Sequence, residues 1–211
     1  MGYFPFFVEL SGLQGLVAGG GETALHKIQK LLPYGPQLTV AAPAIRSEIR
    51  AIPGLQLYCE PFSPRFLTGK SFVVAATSSR RINHQISALC RERRIPVNVV
   101  DDPLACTFLF PALIQRGSFS VGISTGGASP SAAVYLRERA EELLPEHLEE
   151  ILSYLEMQRS LVKAELPEGP GRARCLAQMA AACMKRDRGL TEPEREELLL
   201  PFRMEGRREL P

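Results

Sequence analysis

Three consecutive glycines near the start of the chain constrain its fold more than any other feature. Gly19-Gly20-Gly21 joins an apolar run, Leu16-Val17-Ala18, to a segment in which Ala24, Ile28, Leu31 and Leu32 recur on one helical face. A buried strand that turns through glycine into a helix is the opening of a nucleotide-binding βα unit. Glycine permits the tight turn and the close approach of backbone to ligand, and the free N–H groups of the helix N-terminus stabilise a pyrophosphate. The spacing reads G-x-G-x-x-A, with Ala24 as the permitted small residue. The same residues also fit a strand-to-helix turn that binds nothing. The second strand, Leu38-Thr39-Val40-Ala41-Ala42-Pro43, ends without the carboxylate that commonly grips a ribose. Ribose contacts therefore fall to the backbone around Pro43 and Ala44, and the loop does not choose between NAD and NADP.

The rest of the first hundred residues keeps the alternation. Strands are expected over 15–18, 38–42, 55–59, 71–77 and 97–100, and helices over 22–32, 44–52 and 81–93. Strand alternating with helix means a parallel sheet with right-handed crossovers, and ligands then sit at the carboxyl ends of the strands. Residues 19–21, Pro43, Thr77 and Asp101 stand at four such ends. After Pro103 the rhythm changes. Residues 107–114 are apolar, 115–117 read as a turn and 118–124 as a strand. Ser129 N-caps a helix over 131–144 with Pro130 at its first position. Helices follow over 147–166 and 172–186, with a loop over 165–171. A last helical piece starts at Thr191, which forms a capping box with Glu194, and residues 203–211 read as a frayed, charged end.

Composition narrows the function classes. Of 211 residues, 45% are hydrophobic and 23% charged, as in globular proteins, and a formal net charge of +2 argues against a nucleic-acid partner. No apolar run is long enough to span a bilayer. The apolar N-terminus lacks a basic segment and is broken by Pro5, so neither a signal peptide nor a membrane partner is expected. The five cysteines form no C-x-x-C pair, and His26, His84 and His147 show no ligand spacing. Reduced thiols, a cytoplasmic location and no metal site are the simplest expectation.

Two further segments could carry chemistry. Asn98-Val99-Val100-Asp101-Asp102-Pro103 places adjacent carboxylates at the end of a buried strand. Neighbours on a strand point opposite ways, so one carboxylate can face the cleft as a base while the other braces the turn, and mutual repulsion would raise one pKa. Asp-Asp-Pro is equally ordinary turn chemistry. Thr125-Gly126-Gly127-Ala128-Ser129-Pro130 could be a second anion loop or a plain capped turn. Arg80, Arg81, Arg116, Arg137 and Arg139 surround the expected cleft, where a polycarboxylate would want them, though most arginines are simply solvated.

In their order these segments resemble the precorrin-2 dehydrogenase / sirohydrochlorin ferrochelatase family of siroheme biosynthesis, which includes the N-terminal module of bacterial siroheme synthase. The resemblance rests on Phe4-Pro5-Phe6, Gly19-Gly20-Gly21-Glu22-Thr23-Ala24 with Lys27, and Val40-Ala41-Ala42-Pro43. It continues through Ala75-Ala76-Thr77 with Asn83, then Ile95 to Pro103, Phe108, Pro111-Ala112, Arg116-Gly117 and Ile123 to Pro130, covering about residues 3–147. It implies a Rossmann-type NAD-binding domain over 1–112, a small dimerisation region over 113–146 and a helical C-terminal domain over 147–211, in a homodimer. It implies NAD-dependent oxidation of precorrin-2 to sirohydrochlorin, with Fe2+ as a second substrate in the members that also chelate. The key aspartate falls on Asp101. The cofactor residues fall on Gly19, Gly20, Gly21, Glu22, Thr23, Pro43, Ala44 and Thr77. Asn98, Arg116, Ser124 and Thr125 face the tetrapyrrole, whose eight carboxylates give the arginines a purpose.

There are departures. The family often has Thr-Asp-Asp where this chain has Thr77-Ser78-Ser79-Arg80, and Thr125 stands where some members carry a phosphorylated serine. The altered segment leaves room for a non-catalytic NAD-binding sensor that kept the fold. A chelatase with a vestigial nucleotide site is a third reading, against which the intact glycine turn argues.

Overall fold

A computed structural model describes residues 3–208. The chain divides into two compact units, residues 1–110 and 111–211. The first holds five strands, β1 (Gln14–Ala18), β2 (Gln37–Ala41), β3 (Gln56–Tyr58), β4 (Phe72–Ala75) and β5 (Val97–Val99). All pairs are parallel, in the order β3-β2-β1-β4-β5. The inner strands are buried on both faces, which is why they read as continuous apolar runs. One face is covered by α1 (Glu22–Leu31) and α2 (Ser47–Arg50), around Val17, Ile28, Val40 and Val74. The other is covered by α3 (Arg80–Glu92), around Leu16, Val73, Ile86 and Val99. Each such fully buried aliphatic side chain contributes about 1.5–3 kcal/mol. Successive strands run outward from β1 in one direction, then restart at β4 on its other side, so the crevice between the β1 and β4 ends is the switch point of the sheet.

Two local expectations shift. The helix expected over 44–52 is the single turn α2, because Ala44 and Ile45 stay in a loop and the Arg46 amide donates to the Gly20 carbonyl instead. After α1, residues Leu32–Tyr34 tighten into a 3-10 turn that Gly35 closes at φ +69.

The second unit opens with an antiparallel hairpin of β6 (Ala112–Arg116) and β7 (Phe119–Ile123). Gln115 and Arg116, expected in the turn, are paired strand residues. The turn shrinks to Gly117-Ser118, with Gly117 at φ +54. α4 (Pro130–Glu142) begins as read: the Ser129 hydroxyl accepts from the Ala132 amide at 3.2 Å. α5 (Leu148–Glu165), α6 (Pro170–Arg186) and α7 (Glu192–Arg208) enclose a core of Ile151, Val162, Cys175, Met179, Cys183, Leu199 and Phe202. The frayed end is corrected in part. α7 runs to Arg208, and Arg203 is held by Glu165 and Glu196, whereas 209–211 lie outside the described residues. The capping box is half made: the Glu194 carboxylate accepts from the Thr191 amide at 2.8 Å. Among the described residues all five cysteines are free, and no helix is long and apolar enough to cross a membrane.

Candidate active site

The three glycines have different reasons to be glycine. Gly19 sits at φ +136, and a Cβ there would lie 2.2 Å from the Ala76 carbonyl oxygen at the end of β4. A Cβ on Gly20 would lie 2.2 Å from the Ala44 carbonyl oxygen. These two residues let the turn press against the ends of its neighbours and bring Ala44 and Thr77 beside it. Gly21 has an ordinary φ of −89, and a Cβ there would meet nothing within 4 Å. Nothing in the first unit demands its small size. It leaves open space over the N-terminus of α1, whose first amides no side chain caps.

That space and those donors fit a dinucleotide pyrophosphate. Glu22 would oppose an anion, but its carboxylate is drawn aside by Arg46 at 3.1 Å and by His26 at 3.8 Å. Arg46 also binds Glu48 and holds that carboxyl down at about 2. Thr23, Pro43 and Ala44 are exposed around the same opening. The Thr77 hydroxyl is committed inward: it bonds the buried Asn83 side chain at 2.7 Å and the Ser79 carbonyl at 3.1 Å. Asn83 also accepts from the Thr77 amide and donates to its carbonyl, fixing the end of β4. In the altered Thr77-Ser78-Ser79-Arg80 segment, Ser79 N-caps α3 by accepting from the Ile82 amide. In the sequence Asn83 stands out only through the resemblance. Its amide at the first turn of a helix after a strand ending in threonine is the signal that could have assigned it.

The paired aspartates separate as expected, for a different reason. Both lie beyond β5, and Asp101 turns the chain at φ +59, a left-handed conformation that a non-glycine residue adopts at a cost. The turn, not strand alternation, aims them apart. Asp102 is consumed by structure: its side chain bonds His84 at 2.6 Å, accepts from the Ala105 amide and lies 3.5 Å from Arg80. The expected upward pKa shift is corrected, because the His84 contact holds the Asp102 carboxyl below its ordinary value. Asp101 is exposed, and among the described residues its carboxylate bonds to nothing. Asn98, expected to face substrate, is buried: its Nδ2 donates to the Phe108 carbonyl at 3.1 Å and its Oδ1 has no partner.

The remaining expected substrate residues belong to the second unit and are locally engaged. Arg116 donates to the Pro145 carbonyl at 3.2 Å. The Ser124 hydroxyl accepts from the Gly126 amide, and Thr125 exchanges hydrogen bonds with the Ser129 backbone. The same unit brings together Glu146, His147 and Asp187, a cation-sized group that spacing did not reveal. Asp187 accepts from both the His147 amide and its ring, which raises the imidazole pKa.

A parallel sheet with a glycine turn at its switch point and a free carboxylate two strands away defines a dinucleotide-binding α/β protein. The chain belongs to the family whose model, described as "Putative NAD(P)-binding", matches residues 6–112. It is 38% identical over 175 residues to a siroheme synthase of Psychrobacter arcticus, an alignment covering 82% of this chain and 32% of that one. It is 41% identical over 167 residues to siroheme synthase 3 of Aeromonas hydrophila, covering 78% and 36%. A third, the siroheme synthase of Photorhabdus laumondii, is 41% identical over 169 residues, covering 79% and 36%. The chain thus spans about a third of the length of these curated relatives. The solved structure of SirC, precorrin-2 dehydrogenase, superposes with a TM-score of 0.68 at 24% identity, covering 96% of this chain and all of that one, and so shares its fold. The resemblance read from the motifs is met by these comparisons.

Proposed function

We propose that the protein oxidises precorrin-2 to sirohydrochlorin with NAD+. The observation that carries this reading is the free carboxylate of Asp101, kept in a strained turn at the carboxyl edge of the sheet while its neighbour Asp102 is fully engaged. The siroheme synthase relatives supply the substrate class. When bound, NAD+ supplies a hydride acceptor. Gly19 and Gly20 hold the turn in shape, and Gly21 with the first amides of α1 receives the pyrophosphate. Pro43, Ala44 and Thr77 line the opening through their backbone. The two-electron oxidation removes one hydride and one proton, and the Asp101 carboxylate takes the proton as general base. A sensor that only bound NAD would have no use for a strained, unpartnered aspartate, which disfavours that alternative.

Fe2+ insertion belongs to the same proposal as a second step in which Asp101 takes up pyrrole N–H protons, with the iron as substrate. Residues 113–146 serve as the dimerisation region of a homodimer. The exposed apolar side chains Val134, Tyr135 and Leu136 of α4 support this. Arg116, Ser124 and Thr125 are the substrate-binding residues of the second unit, residues 147–211 form the helical domain, and the cytoplasm is the location. The test is anaerobic incubation of the full chain with precorrin-2, with and without NAD+ and Fe2+, followed by visible absorbance. Sirohydrochlorin formed only with NAD+ supports the dehydrogenase, and a further enzyme-dependent change on adding Fe2+ supports the chelatase. No NAD+-dependent change in protein that binds NAD+ would overturn the proposal.

A further inference from the structure

Lys27 of the first unit is desolvated and, among the described residues, has no counter-charge. Lys27 lies on α1, partly buried, and its ammonium rests 4.2 Å from the centroid of the Phe110 ring. Among the described residues no carboxylate lies within ion-pair distance of it and no acceptor within hydrogen-bond distance. Burial lowers its pKa, Lys30 adds to the lowering, and the opposing influences are Cys106 and Asp101. A partly desolvated cation with only a ring face for company is costly unless an anion completes it.

The surroundings are built. Phe110 packs against Phe108 with ring centroids 5.6 Å apart, and the buried Asn98 side chain ties the Phe108 carbonyl to β5 at 3.1 Å. Asn98 is in register with Val74, on the α1 side of the sheet, and its buried Oδ1 is unpartnered. A second polar atom in the same layer is thus left without a bond by the protein itself.

We infer that Lys27 is a substrate-positioning residue: its ammonium, held over Phe110, pairs with one carboxylate of the tetrapyrrole and orients the ring toward the base. This rests on the function proposed above. The same chemistry could be satisfied by the cofactor's pyrophosphate. The substrate is favoured because the ring face on which the ammonium rests is that of Phe110, beyond β5, whereas the pyrophosphate donors lie at the N-terminus of α1.

The test compares the full-length wild type with Lys27→Met, which keeps an unbranched apolar stem against Phe110, and with Lys27→Arg, which keeps the charge. Anaerobic binding of sirohydrochlorin is read by absorbance and binding of NAD+ by calorimetry. Lys27→Met should weaken sirohydrochlorin binding about tenfold or more. NAD+ affinity should stay within about twofold, and KM for precorrin-2 should rise far more than kcat falls. Lys27→Arg should recover most of the loss. The Lys27→Met protein should melt at or above the wild-type temperature, since a desolvated charge has gone. Undiminished sirohydrochlorin binding would overturn the anchor. So would a loss confined to NAD+, which would assign Lys27 to the pyrophosphate, or a clearly lower melting temperature, which would make it structural. If the wild type itself fails to bind sirohydrochlorin, the proposed function falls and the anchor with it. Normal wild-type binding with an unaffected variant sinks the anchor alone.

Discussion

The two units treat charge in opposite ways. In the helical unit, charges are matched within the protein. Arg195, 6% exposed, meets Glu165, Glu192 and Glu196 and donates to the buried Gln158, while Arg203 shares Glu165 and Glu196 with it. Arg188 pairs with Glu194, and His147 with Asp187. In the sheet unit, groups are left unmatched among the described residues: the Asp101 carboxylate, the Lys27 ammonium, the Asn98 Oδ1 and the uncapped start of α1. Matched charges hold the α5, α6 and α7 helices together; unmatched ones are disposed to meet a ligand. Raw counts of charged residues would not distinguish the two.

The sharpest way to break this comparison is inside the glycine turn. Gly19→Ala puts a methyl 2.2 Å from a backbone oxygen at a left-handed φ, so it should cost about 4 kcal/mol or more and unfold the first unit. Gly21→Ala should leave the melting temperature nearly unchanged while reducing NAD+ affinity, because only the ligand needs that space. Equal losses of stability at both positions would remove the argument for a pyrophosphate over α1.

In the helical unit, Arg195→Ala leaves the buried Gln158 without its partner and Glu165 with Arg203 alone, and should destabilise by about 2 kcal/mol in denaturant unfolding. Acid gives the next effect. Glu165 is held below the usual carboxylate range by Arg203, then Arg195, and Asp187 is held down by the His147 amide and ring. A depressed folded-state pKa contributes stability above the unfolded value, which is lost as pH falls through the folded one. The melting temperature should therefore drop steadily below about pH 4. His147 has the opposite sign: its raised pKa contributes below the ordinary imidazole range, and that contribution is lost as pH rises through the folded value. The smallest effects are single caps and turns. Ser129→Ala should cost about 1 kcal/mol. Asp101→Gly should add about 1 kcal/mol by relieving φ +59, as expected of a residue kept for function at the expense of stability.

Much of this was legible in the sequence because local rules decided it. The strand–glycine–helix unit, the Ser129 cap and the start of α7 follow from periodicity and capping. Gln115 and Arg116 read as turn because turn-forming polar residues and the outward face of a short hairpin look alike, and only the partner strand settles which they are. In the site, the sequence suggests that one of the two aspartates braces the turn but not which one, since the left-handed turn at Asp101 and the His84 contact of Asp102, 18 residues away, carry no local signal. In the sequence Lys27 stands out only through the resemblance. Its lack of a counter-charge becomes visible only when Phe110, 83 positions later, is folded under it.

The central claim is that Asp101 is the base of a dinucleotide-dependent oxidation. Asn adopts the left-handed conformation as readily as Asp, so Asp101→Asn removes the basic oxygen with the turn preserved. The decisive measurement is turnover of precorrin-2 with NAD+ by this variant, alongside its affinity for NAD+. The account predicts NAD+ binding within about twofold of wild type and turnover lowered by about a hundredfold or more. Normal oxidation of precorrin-2 by the variant would contradict it.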